Sequence, residues 1–251
     1  MELLTLVTIP LSHYCEKARW ALDLAGLAYR EEGHLPLLHM LGTRRRGGRS
    51  VPLLVTPEVT LRDSSDILAW IDARSPLYPT GAEARSEALA LEDHFDEKLG
   101  PHVRRVGYFY MLPHRALATR VVSAGTARWE RGVAAPLFPV LRAIMRRGLR
   151  ITPEASARSL AKVRAGFAEV GARLADGRKY LVGDAFSAAD LTFAALVGPL
   201  VNPPEHPVTW PTEAELPDDL RALSDELRAT AAGQFALRIY REHRGAPTRL
   251  V

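Results

Sequence analysis

An apolar run, Leu3 to Ile9, leads directly into Pro10-Leu11-Ser12-His13-Tyr14-Cys15-Glu16-Lys17-Ala18-Arg19-Trp20. The run is rich in β-favouring residues and reads as a buried strand. The block after it reads as a loop that winds straight into a helix. A hydroxyl (Ser12) and a thiol (Cys15) therefore sit three residues apart at a helix N-terminus. Unpaired backbone N–H groups and the helix dipole gather there and favour negative charge. A thiolate held at that spot is stabilised, whether it belongs to the protein or to a bound small thiol.

The pattern continues as alternating elements. Glu16 to Gly26 carries Ala18, Ala21, Leu22 and Ala25 on one helical face and stops at glycine. Ala28 to Leu35 is a mixed strand candidate, and Leu37 to Gly48 is short, irregular and basic. Val51 to Val55 and Val59 to Leu61 are two short apolar runs separated by Thr56-Pro57-Glu58, a hairpin signal. Ser64 to Ala73 reads as a third helix. The order β-α-β-α-β-β-α describes a small α/β layer. Ser75-Pro76-Leu77-Tyr78-Pro79-Thr80-Gly81 is turn-rich and marks a linker.

Beyond the linker the pattern is helical. Leu91, Phe95, Leu99, Val103, Val106 and Tyr110 recur at three- and four-residue steps, and Gly100-Pro101 inside that series is expected to kink the helix. Leu137 to Arg150 is amphipathic. Thr152-Pro153-Glu154 opens another helix as cap, proline at the first position and acidic first turn; Gly177 ends it. Two further helical segments run over about 217–232 and 234–241. The expected division is an α/β domain over 1–78 and an all-helical domain over 84–245.

With 47% hydrophobic and 25% charged residues in 251, the chain has the composition of a water-soluble globular protein. Its 33 basic against 29 acidic residues leave a charge of only +4, which mildly favours small anionic ligands. No nucleic-acid-binding motif accompanies it, so no nucleic-acid partner is expected. No apolar stretch reaches the length of a membrane span, and Met1-Glu2-Leu3-Leu4 lacks the charged start of a secretory signal. A single cysteine forbids an internal disulfide and points to a reducing cytoplasm. The eight histidines show no ligand spacing, and His34 and His39 have no nearby Cys or carboxylate to complete a metal site.

Three features coincide: Ser12-x-x-Cys15 at a helix start; Ser50-Val51-Pro52 followed by Arg62-Asp63-Ser64-Ser65-Asp66; and Tyr180-Leu181-Val182-Gly183-Asp184-Ala185-Phe186-Ser187-Ala188-Ala189-Asp190. Together, over almost the whole chain, they resemble the cytosolic glutathione transferase superfamily. Within it the first motif is similar to the bacterial, omega- or beta-like branch, with Ser12 in place of the first cysteine of Cys-Pro-Tyr-Cys. The resemblance implies a thioredoxin-like N-terminal domain followed by an all-helical C-terminal domain. It also implies a homodimer in the cytoplasm, glutathione as co-substrate, and no metal.

It further implies site roles. Val51, held before a cis Pro52, offers its backbone to the cysteinyl unit of glutathione. Asp63 and Ser64 at the start of the third helix receive the γ-glutamyl ammonium and carboxylate. Ser12 donates to the sulfur and favours the thiolate, and is the catalytic candidate. One arginine of Arg44-Arg45-Arg46-Gly47-Gly48-Arg49 can clamp the glycine carboxylate. Tyr14, Tyr108 and Phe109 (with Tyr110 beside them) are candidates for the electrophile pocket. Cys15 is expected to be a buried small hydrophobe, and Lys17 and Arg19 surface or packing residues. Ser187-x-x-Asp190 is a capping box with a Phe186–Leu191 staple, hence structural. The loop from Asn202 to Pro211 is expected to shape or cover the pocket.

The activity so implied is conjugation of glutathione, or a related small thiol, to a small hydrophobic electrophile in detoxification. Two alternatives stay open from sequence: a glutathione-dependent isomerase, dehalogenase, lyase or peroxidase on the same fold, and a non-catalytic interaction module that keeps it.

Overall fold

The computed structural model describes residues 3–208 and 210–250. Met1 and Glu2 of the N-terminal stretch, Thr209 of the 202–211 loop, and Val251 lie outside them. The first half forms β1 (Leu4–Thr8), α1 (His13–Leu24), β2 (Tyr29–Gly33), α2 (His39–Arg44), β3 (Leu53–Val55), β4 (Thr60–Leu61) and α3 (Ser64–Asp72). The sheet order is β4-β3-β1-β2-β5. β1 runs parallel to β2, with Leu6 opposite Glu31, and antiparallel to β3, with Leu6 opposite Leu54. Leu6 and Val7 point to opposite faces yet both are fully buried, because this central strand is covered on both sides.

The second half is helical. It comprises α4 (Ala82–His94), a π-helical turn (Phe95–Leu99), α5 (Gly100–Met111), α6 (Arg115–Ser123), α7 (Arg128–Gly148), α8 (Pro153–Arg173), α9 (Ala188–Val201), α10 (Asp218–Arg228) and α11 (Ala231–His243). Helix α9 is the hub. Its sequence holds one charge, Asp190, and many small residues, so it is buried nearly all round and packs on α1, α4, α5 and α11. Asp190 is spent locally, accepting from the backbone N–H of Ser187 (2.8 Å) and of Leu181 (2.7 Å), as the capping-box reading requires. Phe186, just before the cap, stacks on His243 with ring centres 4.2 Å apart. No helix among the described residues is long and apolar enough to cross a membrane.

The kink expected at Gly100-Pro101 takes a specific form. Pro101 has no N–H for the carbonyl five residues back in the widened turn, that of Asp96. The Tyr14 hydroxyl takes its place, donating to Asp96 O at 2.8 Å. Gly100 makes room: a Cβ there would overlap the Tyr14 hydroxyl. The start of α1 is thereby stitched to the start of α5.

The structure differs from the sequence reading in two places. Helix α7 begins at Arg128, well before the amphipathic 137–150 stretch, and runs through Pro136 and Pro139. The Ala135 carbonyl that Pro139 cannot reach accepts from Arg115 at 3.1 Å. The chain end returns to the first domain: β5 (Arg249–Leu250) adds a fifth strand beside β2. Thr248 N–H donates to Asp23 (2.7 Å), and Arg244, fully enclosed, pairs with Glu16 (2.6 Å) and Asp23 (2.9 Å).

Candidate active site

A cavity of about 360 Å³ opens between the two halves. The sheet side supplies Ile9, Leu11 and Ser12 from the β1–α1 turn, Pro36, Leu37 and His39 from the approach to α2, and Arg49, Ser50 and Val51 before β3. The helical side supplies Arg104, Tyr108 and Met111 from α5, Met145 and Leu149 from the end of α7, and Trp210. The walls contain two arginines and no carboxylate, so the cavity is suited to anions.

Ser12 is the N-cap residue of α1, in extended conformation, and its side chain makes no capping hydrogen bond. The hydroxyl therefore stands at the positive end of a helix without being used up as a cap. The neighbouring polar groups are already committed. His13 is buried with Nε2 3.0 Å from Gly100 O, so the ring donates there, and burial, aided by the Arg104 charge, lowers its pKa to about 3. Burial and the nearby Asp96 raise the Tyr14 pKa well above the ordinary phenol value. Cys15 is wholly enclosed, and burial pushes its thiol up to about 11 although Arg19 and Ser12 oppose the shift. It is a thiol, not a thiolate, near neutral pH.

The Val51–Pro52 peptide bond is cis, and Val51 lines the cavity. Asp63 caps α3, accepting from Ser65 N–H at 2.9 Å, and is exposed; Ser64 is buried at 3% exposure. Neither is among the residues that line the cavity. Tyr14 and Tyr108 line it, and burial raises the Tyr108 hydroxyl to about 12. Phe109 points elsewhere, against Tyr110, with ring centres 5.2 Å apart. Within the arginine cluster, Arg49 lines the cavity, while Arg46 forms a fork on Glu32 at 2.8 and 3.0 Å.

Two buried charge clusters hold this geometry. Lys17 and Arg19, expected at the surface or in packing, are both fully buried. Lys17 Nζ donates to Glu92 (2.7 Å) and Asp96 (2.5 Å), Ser65 Oγ donates to Asp96 (3.0 Å), and the Tyr78 hydroxyl donates to Glu92. This network ties α1 and the first turn of α3 to α4. Arg19 bridges Glu16 (2.8 Å), Glu31 (2.7 Å) and Pro10 O (2.6 Å), fixing the turn that presents Ser12. Glu130 of α7 reaches back to the sheet half, 2.6 Å from His34 Nδ1 and accepting Leu35 N–H at 2.5 Å.

His39, weighed from sequence only as a metal ligand, and Arg104, Met111, Met145 and Trp210 are cavity residues that the sequence did not mark as such. The 202–211 loop was expected at the pocket, and Trp210 is its contribution. Arg104 and His39 carried no local signal, because only the packing of the two halves brings them to one cavity.

Residues 6–83 match the family model of the glutathione S-transferase N-terminal domain, and residues 153–226 match that of the C-terminal domain. No curated protein matches the sequence. Among solved structures, the chain is similar to a possible glutathione S-transferase from Rhodopseudomonas palustris, with TM-score 0.61, 16% identity and full coverage of both chains. A theta class glutathione S-transferase from Xanthomonas axonopodis pv. citri, with glutathione bound, gives TM-score 0.57 at 20% identity, covering 94% of this chain and 98% of that one. A glutathione S-transferase from Methylobacterium radiotolerans, in complex with glutathione sulfonate, gives TM-score 0.55 at 21% identity, covering 94% and 95%. With both family domains present in order and the matching two-domain fold, the chain belongs to the cytosolic glutathione transferase superfamily.

Proposed function

We propose that the protein is a glutathione transferase in which Ser12 activates the thiol of bound glutathione for attack on a small, largely apolar electrophile. The observation that carries this reading is the uncapped Ser12 hydroxyl at the start of α1, in one cavity with Val51 of the cis Val51–Pro52 bond. The helix N-terminus and the hydroxyl both favour the thiolate over the thiol. A free thiol of pKa about 8.5 is only a few per cent ionised at pH 7, and each unit of lowering is worth about 1.4 kcal/mol. The second gain is proximity of sulfur and electrophile in one enclosed space.

In this reading Val51 pairs with the cysteinyl backbone. The first turn of α3 receives the γ-glutamyl end, with Ser64 for the carboxylate and Asp63, which still has a free oxygen, for the ammonium. His39 and Arg49 hold the glycine carboxylate. Asp63 and Ser64 stand outside the cavity walls, so the γ-glutamyl end reaches past the rim towards α3. Tyr14 and Tyr108 border the electrophile. The Ser-x-x-Cys motif supports reading the chain as one of the bacterial, omega- or beta-like branch, with buried Cys15 having no chemical part. A cytoplasmic homodimer without a metal completes the proposal.

Calorimetric titration with glutathione tests it. Binding in the micromolar to low-millimolar range, together with conjugation of chlorodinitrobenzene, is the expected result. No binding of glutathione would overturn the proposal.

A further inference from the structure

Lys17, Arg19, Arg244 and Arg105 each have at least one anion or carbonyl partner. Lys17 has Glu92 and Asp96, Arg19 has Glu16 and Glu31, and Arg244 has Glu16 and Asp23. Arg105, next in the chain, donates to Leu149 O (2.9 Å) and Ser159 Oγ (2.6 Å). Arg104 is the exception. It is half-buried in the cavity wall, its Nε is enclosed without an acceptor, and no carboxylate among the described residues pairs with it. An N–H that has lost water and gained no acceptor is costly, and an anion that enters the cavity and pairs with this guanidinium relieves that cost.

Its surroundings define the anion's other end. Arg104, Gly107, Tyr108 and Met111 share one face of α5. Opposite are Met145 and Leu149 of the α7 end, with Trp210 closing the side. Its indole N–H is likewise buried without an acceptor. Arg49, the other cation of the cavity, comes from the sheet half, where the glutathione reading already uses it. We infer that the helical half of the cavity selects an electrophile with an apolar body and one carboxylate, and that Arg104 is the residue that recognises the carboxylate. The reaction of such a molecule rests on the proposed function; its binding does not. For an aryl chloride, the glutathione thiolate forms the C–S bond, chloride leaves with the C–Cl electron pair, and the thiol proton passes to solvent.

The test compares para-nitrobenzoate with para-nitrobenzamide, which differ in charge but hardly in shape. Calorimetry without glutathione is expected to show the acid binding about tenfold tighter or more, as a charge-assisted hydrogen bond provides. In Arg104→Met the preference falls to within about twofold of unity, and Arg104→Lys keeps part of it. Absence of an acid preference in the wild-type protein overturns the inference, and this arm needs no variant to fold. So does a preference that survives Arg104→Met but is lost in Arg49→Met, which would put the carboxylate at the glutathione end. A turnover arm with chlorodinitrobenzoate and its amide separates the two readings. An intact binding preference without conjugation of either probe supports the carboxylate site and counts against the glutathione chemistry alone.

Discussion

Lys17 Nζ lies 2.7 Å from Glu92 Oε1, with neither side chain reaching solvent, so an ion pair is enclosed where the two domains meet. The same ammonium holds Asp96, whose carboxyl burial pushes above the ordinary range while Lys17 opposes the shift. Removing one partner of such a cluster strands charge in a place that cannot hydrate it. Lys17→Met is therefore expected to cost roughly 3–5 kcal/mol in urea unfolding. Lys17→Met combined with Glu92→Gln is expected to lose less than the sum of the two single variants. A loss below about 1 kcal/mol for Lys17→Met would mean that the pair contributes as little as one at the surface.

Acid should weaken the fold before most carboxylates titrate. Burial holds His13 neutral down to about pH 3 and His206 down to about pH 4, whereas both bind a proton near 6.5 once unfolded. Between those values the unfolded chain carries more protons, so stability is complete above about pH 6.5 and falls as the pH drops towards 4. Each histidine adds a slope of about 1.4 kcal/mol per pH unit within its window. His13→Gln keeps a donor for the Gly100 carbonyl and binds no proton. Its stability–pH profile from denaturant titrations should be shallower by one proton, and an unchanged slope would show that His13 is not the titrating group.

The local part of the fold was legible in the sequence because its signals are local. The β1–α1 junction, the Thr56-Pro57-Glu58 hairpin turn, the cap of α8 and the Ser187–Asp190 box depend on neighbours within a few residues. Gly100-Pro101 announced a kink, but not that Tyr14, more than eighty residues earlier, would take the released carbonyl. The same limit hid β5, which has only two residues and forms solely because β2 offers an open edge. In the site, Ser12, Val51 and Arg49 lie in or beside motifs that the sequence displays. Arg104 and Lys17 look like ordinary charges on amphipathic helices until partners from other elements, or their absence, are known.

Glu130 is expected to matter for ligand affinity without touching ligand. It is fully buried and pins His34 and Leu35, the residues just before Pro36, Leu37 and His39 of the cavity wall. Leu37 there has φ of 73°, a left-handed conformation that a branched side chain adopts at a cost of about 1 kcal/mol or more. Without its anchor the segment can relax. Glu130→Ala should lower Tm and weaken glutathione binding several-fold by calorimetry, and Glu130→Gln, which keeps an acceptor, should do less. Equal affinities in all three proteins would remove Glu130 from any positioning role.

Cys15 should resist alkylation. With its thiol held near 11, about 0.1% is ionised at pH 8, and the sulfur is enclosed as well. Native protein should react with iodoacetamide far more slowly than protein in urea, as followed by mass spectrometry. Because the folded state holds this proton more tightly than the unfolded one, stability should decline as pH rises from about 9 to 11. Rapid alkylation of the native protein would show that Cys15 is open to solvent and reactive.

The most direct measurement is the titration of the glutathione thiol itself in the binary complex, followed through the ultraviolet absorbance of the thiolate, in wild type and Ser12→Ala. Activation by Ser12 requires the bound thiol to titrate at least about one unit below its free value near 8.5, and Ser12→Ala to move it back up by about a unit. Glutathione affinity should stay within a few-fold, because the other contacts are intact. Turnover of Ser12→Ala should fall about ten- to a thousand-fold, in line with one lost hydrogen bond to an anion. Cys15→Ser should titrate and turn over like wild type. Identical thiol titrations in wild type and Ser12→Ala, with Cys15→Ser inactive, would contradict the assignment and make Cys15 the reacting group.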